Sequence, residues 1–143
     1  YVDYAHTPDA LKTALTAIRP HVRNLLHVVF GAGGDRDSGK RPMMGQIAAT
    51  HADRVIITDD NPRHEDPNTI RRQVLNECPK ADDIGNREEA IAAAVANLEA
   101  GDILMIAGKG HETGQIIGSE TRPFDDAEGA RKVILGRGGE VVE

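Results

Sequence analysis

Tryptophan is absent from this 143-residue sequence, and two Tyr with two Phe bring the aromatics to only 3%. A core must therefore be built from Ala, Ile, Leu and Val. Cysteine occurs once, at Cys78, which excludes an internal disulfide and suits a reducing compartment. Late in a helical segment, that thiol reads as packing and not as a nucleophile. No apolar run approaches the roughly 20 residues that span a membrane. Tyr1-Val2-Asp3-Tyr4 has neither the basic region nor the apolar stretch of a secretory signal. These absences point to the cytoplasm and away from a membrane partner. An excess of positive charge is lacking too, and a net charge of −6 argues against nucleic acid, whose phosphates are held by clustered Lys and Arg. Scattered His residues and one Cys give no zinc spacing.

What is present is the balance of an ordinary globular protein, 39% hydrophobic and 28% charged, in a length that buries one core. Thr7-Pro8 reads as the cap and first residue of a helix. Ala10, Leu11, Ala14, Leu15 and Ile18 recur at helical spacing until Pro20. Leu25 to Phe30, Val55 to Thr58 and Ile103 to Ile106 are short apolar runs, as in strands buried on both faces. Helical stretches are expected over Met43 to Ala52, after Asp66-Pro67, over Glu88 to Ala100 and over Asp126 to Leu135. Weaker strands fall at Tyr1 to Tyr4 and near Asp83-Ile84, and Ile116-Ile117 reads as an edge strand. This alternation predicts an α/β fold, a doubly wound, mainly parallel sheet of about six strands with helices on both faces. Residues 1–136 are expected to form one domain, with 137–143 a flexible tail. Such sheets bind ligands beyond the carboxyl ends of their strands. Every polar motif of the sequence falls at that edge.

Three motifs carry the chemistry. Gly34-Asp35-Arg36-Asp37-Ser38-Gly39-Lys40 matches the first seven positions of a P-loop, but Arg41 stands where a Ser or Thr must hold magnesium. Two acidic residues within the loop would also repel phosphate. Gly31-Ala32-Gly33-Gly34 lacks the third glycine of the dinucleotide fingerprint. Asp60-Asn61-Pro62-Arg63 could be only a turn, and Gly108-Lys109-Gly110-His111-Glu112 only a flexible loop. At one sheet edge, however, Arg36, Arg63, Asp60 and Glu112 would unite two guanidiniums with two carboxylates. Guanidinium recognises carboxylate with paired hydrogen bonds, and carboxylates hold ammonium. His6 precedes a helix N-terminus, where anions bind. From the residues alone, the chain is an amino-acid-binding or nucleotide-binding α/β domain.

Asp3-Tyr4-Ala5-His6-Thr7-Pro8, Gly33-Gly34-Asp35-Arg36-Asp37 with Gly39-Lys40-Arg41-Pro42, Asp59-Asp60-Asn61-Pro62-Arg63 and Gly108-Lys109-Gly110-His111-Glu112 together resemble the C-terminal domain of the Mur ligases. Their order and spacing cover nearly the whole chain. The resemblance implies an ATP- and magnesium-dependent, amide-forming enzyme of peptidoglycan synthesis that extends UDP-N-acetylmuramoyl-L-alanyl-D-glutamate. The Asp60 to Arg63 motif is the one associated with meso-diaminopimelate as the added amino acid. By resemblance, Arg36, Asp60, Asn61, Pro62, Arg63, Gly108 and Glu112 bind diaminopimelate, while Asp3 and His6 reach ATP. No residue of this chain is implied as a chemical catalyst or a metal ligand. The P-loop, the magnesium ligands and the UDP-sugar site are expected in upstream domains, so this chain reads as a fragment, inactive by itself. A lysine-adding ligase and a stand-alone binding domain are the alternatives.

Overall fold

The apolar run Leu26–Phe30 forms strand β2, buried at all five positions, in a computed structural model that describes residues 1–139. Residues 140–143, the end of the expected tail, lie outside the described residues. A strand buried on both faces needs paired neighbours and a helical layer on each side. β3 (Arg54–Ile57) and β5 (Ile103–Ala107) flank β2, β1 (Val2–Asp3) lies beyond β5, and β4 (Asp82–Asp83) lies beyond β3. All four pairings are parallel, in the order β1-β5-β2-β3-β4.

Successive side chains of a strand point to opposite faces, and the two cores divide accordingly. Leu26, Val28 and Phe30 of β2, with Met105 and Ala107 of β5, pack with α1 (Pro8–Ile18), α2 (Lys40–His51) and α3 (Pro67–Leu75). Val29, Leu104 and Ile106 face α4 (Arg87–Ala96) and α5 (Asp126–Gly136). Four helices begin at side-chain caps, from Thr7, Asp66, Asn86 and Asp125, each accepting a backbone N–H of the first turn. The exception is α2, which starts at Lys40 with no side-chain cap, three residues before the expected Met43.

The expected sheet of about six strands resolves into five parallel strands and a separate antiparallel pair. Ile116-Ile117 lies not at an edge of the main sheet but in β6 (Gly114–Ile117), paired with β7 (Glu120–Pro123). The two-residue connection Gly118-Ser119 explains the difference, because Gly118 takes φ 61°, which a tight hairpin turn requires at its first position. The hairpin meets the rest of the chain at Arg63 instead, through a parallel bridge to Ile117. At the other end, Arg137, Gly138 and Gly139 return their N–H groups to carbonyls of α5.

One buried carboxylate staples the amino ends of the strands. Asp102 accepts hydrogen bonds from the backbone N–H groups of Glu99 and Leu25, from Asn24 Nδ2, and pairs with His27 Nε2 at 2.8 Å. These bonds, the Glu99 N–H foremost, outweigh burial and hold its carboxyl at about 2, below the usual 3.8. A depressed folded-state value stabilises the fold above the unfolded value, and that stability is lost as pH falls through the folded one. Unfolding measured by denaturant at stepwise pH should therefore show stability falling between about pH 4 and about pH 2. Asp102→Asn should flatten that fall, and an unchanged slope would exclude Asp102 as its source.

Candidate functional site

Because the five strands are parallel, their carboxyl ends share one edge, and the sheet order sets the sequence of loops along it. First come Asp3 to His6 after β1, then Gly108 to Glu112 after β5. Next are Gly31 to Gly39 after β2, and then Asp60 to Arg63 after β3. All nine expected site residues therefore stand at this edge.

The loops after β3 and β5 are locked together. Lys109, fully buried, donates from Nζ to Asn61 Oδ1 at 2.9 Å and lies 3.6 Å from Asp60 Oδ1. The same Asn61 oxygen accepts Ile116 N at 2.9 Å. Gln115 Nε2 donates to Asp60 O at 2.7 Å, and Arg63 joins the hairpin through Ile116 O at 3.0 Å and Gly118 N at 2.6 Å. Gly108, at φ 114°, takes a backbone conformation that residues with a side chain rarely adopt, and a Cβ there would press on Asp60 Oδ2 at 2.7 Å. Sequence reasoning passed over Lys109 and Gln115 as site-builders. Only the Gly-Lys-Gly setting of Lys109 hinted at a lysine held by backbone.

The glycines after β2 carry the other half. A Cβ on Gly33 would lie 3.0 Å from Arg63 Nη1 and 3.6 Å from Arg36 Cγ, so the two arginines flank this residue. Arg63 Nη1 also donates to Gly34 O at 3.0 Å. Arg63 and Asp35 both adopt left-handed backbone, at φ 51° and 54°, a conformation costing about 1–2 kcal/mol for a residue with a side chain. Their surroundings impose it. Asp35 N donates to Glu65 Oε1 at 2.7 Å, and Glu65 is held in turn by buried Arg41, which also reaches Gln73 and Gly33 O. Arg41 foremost, with the Asp35 N–H, draws the Glu65 carboxyl below its ordinary value.

This arrangement also explains why the Gly34 to Lys40 loop is no phosphate cradle. Four of its seven N–H groups are already engaged: Gly34 with Asn61 O, Asp35 with Glu65, Gly39 with Asp37 Oδ1, and Lys40 with Asp37 O. Arg41, in the hydroxyl position, is buried structure.

The remaining side chains differ in what they have left to offer. Arg36 is exposed and bonds only Asp35 O, and the Glu112 carboxylate has no partner among the described residues. Pro62 is buried and contributes backbone, its carbonyl accepting Glu65 N. Asp3 uses Oδ1 to hold Ala5 N, and its backbone oxygen accepts Gly108 N. His6 is exposed beside Tyr4, ring centroids 4.7 Å apart, just before the capped start of α1. Burial pushes the neighbouring Asp59 carboxyl up against the pull of Arg71. A cleft of about 480 Å³ opens next to the hairpin between Asp59, Arg71, Arg87 and Arg122, and a larger cavity of about 800 Å³ lies at the amino edge of the sheet. The nine residues lie outside both, on an open rim.

The family model described as Mur ligase, glutamate ligase domain, matches residues 1–110. The UDP-N-acetylmuramoyl-L-alanyl-D-glutamate--2,6-diaminopimelate ligase of Zymomonas mobilis subsp. mobilis is 62% identical over 139 residues, covering 94% of this chain and 29% of that protein. The ligase of the same name from Bradyrhizobium diazoefficiens is 60% identical, covering 96% of this chain and 28% of its own length. A solved structure of a ligase with this name superposes at a TM-score of 0.92 with 45% identity, covering 97% of this chain and 29% of the other. The chain thus spans less than a third of the length of these relatives.

The contact between Gly34 and Pro62 tests whether the two arginine-bearing loops depend on each other. A Cβ on Gly34 would lie 1.8 Å from Pro62 O, which is backbone and cannot rotate away. Gly34→Ala should cost about 1–3 kcal/mol, the usual penalty of overpacking. Denaturant unfolding measures it, and a loss below a few tenths would mean that the loops part without cost.

Proposed function

The chain belongs to the Mur ligase family, and from that premise we propose that it is the C-terminal, amino-acid-binding domain of a cytoplasmic, ATP-dependent ligase adding meso-diaminopimelate to UDP-N-acetylmuramoyl-L-alanyl-D-glutamate in peptidoglycan synthesis. One observation carries the reading: the Lys109–Asn61 bond ties the Asp60 to Arg63 loop to the Gly108 to Glu112 loop, beside Arg36. The loops that carry two guanidiniums and two carboxylates thereby meet at one edge of the sheet. Diaminopimelate carries two carboxylates and two ammonium groups, the complementary set. The names and identities of the relatives support the same substrate.

A carboxylate is a poor electrophile until one of its oxygens becomes a phosphate leaving group. In the reaction proposed, ATP phosphorylates the glutamyl carboxylate and the amine of diaminopimelate attacks the acyl carbon. The tetrahedral intermediate then releases phosphate and leaves an amide. This domain contributes by holding the amine donor, so its part is proximity and orientation. Arg63 and Arg36 take carboxylates, and Glu112 takes ammonium. Asp60 has its carboxylate beside Lys109 and Gly108, so it shapes the rim as well as its charge. His6, exposed before the N-terminus of α1, and Asp3 Oδ2, without a partner among the described residues, suit the phosphate and ribose of ATP approaching from the upstream domains. Among the described residues no three His, Cys, Asp or Glu gather as metal ligands.

Arg63→Ala in the full-length ligase separates diaminopimelate from lysine, which lacks the distal carboxylate. Removing one partner of a closed-site charge pair costs about 2–5 kcal/mol. The variant should lose that much in kcat/KM for diaminopimelate and far less for lysine. Equal losses in amide formation with both amino acids would reduce Arg63 to a turn residue.

A further inference from the structure

Lys109 is the one lysine in the buried part of the described chain, yet it sits in a loop and not in a helix or strand. An ammonium taken out of water must be paired. Its partners are Asn61 Oδ1 at 2.9 Å and, at 3.6 Å, Asp60 Oδ1. Ile116 N brings a second donor to the same Asn61 oxygen, also at 2.9 Å.

The two ends of a primary amide have nearly the same shape and opposite polarity. With an ammonium and a backbone N–H both aimed at one end, only the carbonyl end can stand there. The Asn61 amide is therefore restricted to one of its two orientations, and its oxygen is fully occupied. Its other end, Nδ2, has no hydrogen-bond partner among the described residues. Nor is it sealed in the core, because the sole buried side-chain nitrogen or oxygen without a partner there is Arg41 Nε. Asn61 is itself buried, at 5% exposure, so what it has left is an unpartnered amide nitrogen that is not wholly enclosed, in the loop between Asp60 and Arg63.

We propose that Lys109 is a positioning residue for the amino-acid substrate. By fixing the polarity of the Asn61 amide, it makes position 61 a donor and never an acceptor, and so tunes this point of the rim to a carboxylate oxygen. The proposal rests on the amino-acid-binding reading above and adds what orients one of its residues. A lysine that merely stapled two loops together would leave the polarity of Asn61 without consequence for binding.

Asn61→Asp and Lys109→Met in the full-length ligase test this. Asp keeps the oxygen that Lys109 and Ile116 require and lacks the Nδ2 donors. Asn61→Asp should melt within a few degrees of wild type and raise the KM for diaminopimelate at least tenfold, with the KM for ATP unchanged. Lys109→Met should raise the same KM at least fivefold while ATP binding stays as it was. A KM for diaminopimelate within twofold of wild type in Asn61→Asp overturns the proposal, and this variant decides alone should Lys109→Met not fold. A folded Lys109→Met with wild-type KM also overturns it. Were the wild-type ligase to incorporate another amino acid instead, with both variants raising the KM for that one, the diaminopimelate reading would fall and the assignment of Lys109 would stand.

Discussion

With β5 hydrogen-bonded in parallel between β1 and β2, Ala107 ends level with Asp3, and the loop that follows must cross the end of the sheet between the loops of β1 and β2. Gly108 N is already held by Asp3 O, and a Cβ on Gly110 would come within 3.0 Å of Tyr4. The loop is thus pressed against β1 on one side and reaches towards Asp60 on the other. Parallel pairing of β2 with β3 does the same for the glycine loop and the Asp60 loop. Every distance at the rim follows from this packing of strand ends, because antiparallel pairing would send alternate loops to opposite edges.

Buried cations then finish what the strands begin. Arg87 makes two 2.7 Å bonds to Asp126 and also reaches Asp59 O and Ala107 O, joining the starts of α4 and α5 to the ends of β3 and β5. Arg41 binds the glycine loop to Glu65, and Lys109 binds the loop of β5 to that of β3. These three are nearly inaccessible to water, and their charges are spent inside the protein. Arg36, Arg63 and Glu112 keep exposed or half-buried groups for a ligand. The site therefore has two sets of charged residues, one that holds the loops and one that faces outward.

Local signals were readable wherever local chemistry decides the structure. Thr7-Pro8 and Asp66-Pro67 start helices because a side-chain oxygen and a proline satisfy the first turn without help from distant residues. The runs at Leu26, Val55 and Ile103 are strands because continuous apolar residues demand cover on both faces. The hairpin was half visible. Ile116-Ile117 looked like a strand, but Glu120 to Pro123 is exposed, charged and ends in proline, so nothing in its hydrophobicity marks it as a partner. Gly118-Ser119 was its one sequence signal.

By itself, the sequence determined the element order apart from β7, the parallel α/β class and the set of motifs at the strand ends, since each depends on short-range periodicity, caps and turns. The tertiary structure alone decided which charged residues of those motifs are structural and which are available. Arg41 and Lys109 lie in the same glycine-rich segments as Arg36 and Glu112, and composition does not separate them. Their burial depends on contacts with Glu65, Gln73 and Asn61, 24 to 48 residues away along the chain and brought close only when the ends of β2, β3 and β5 pack together.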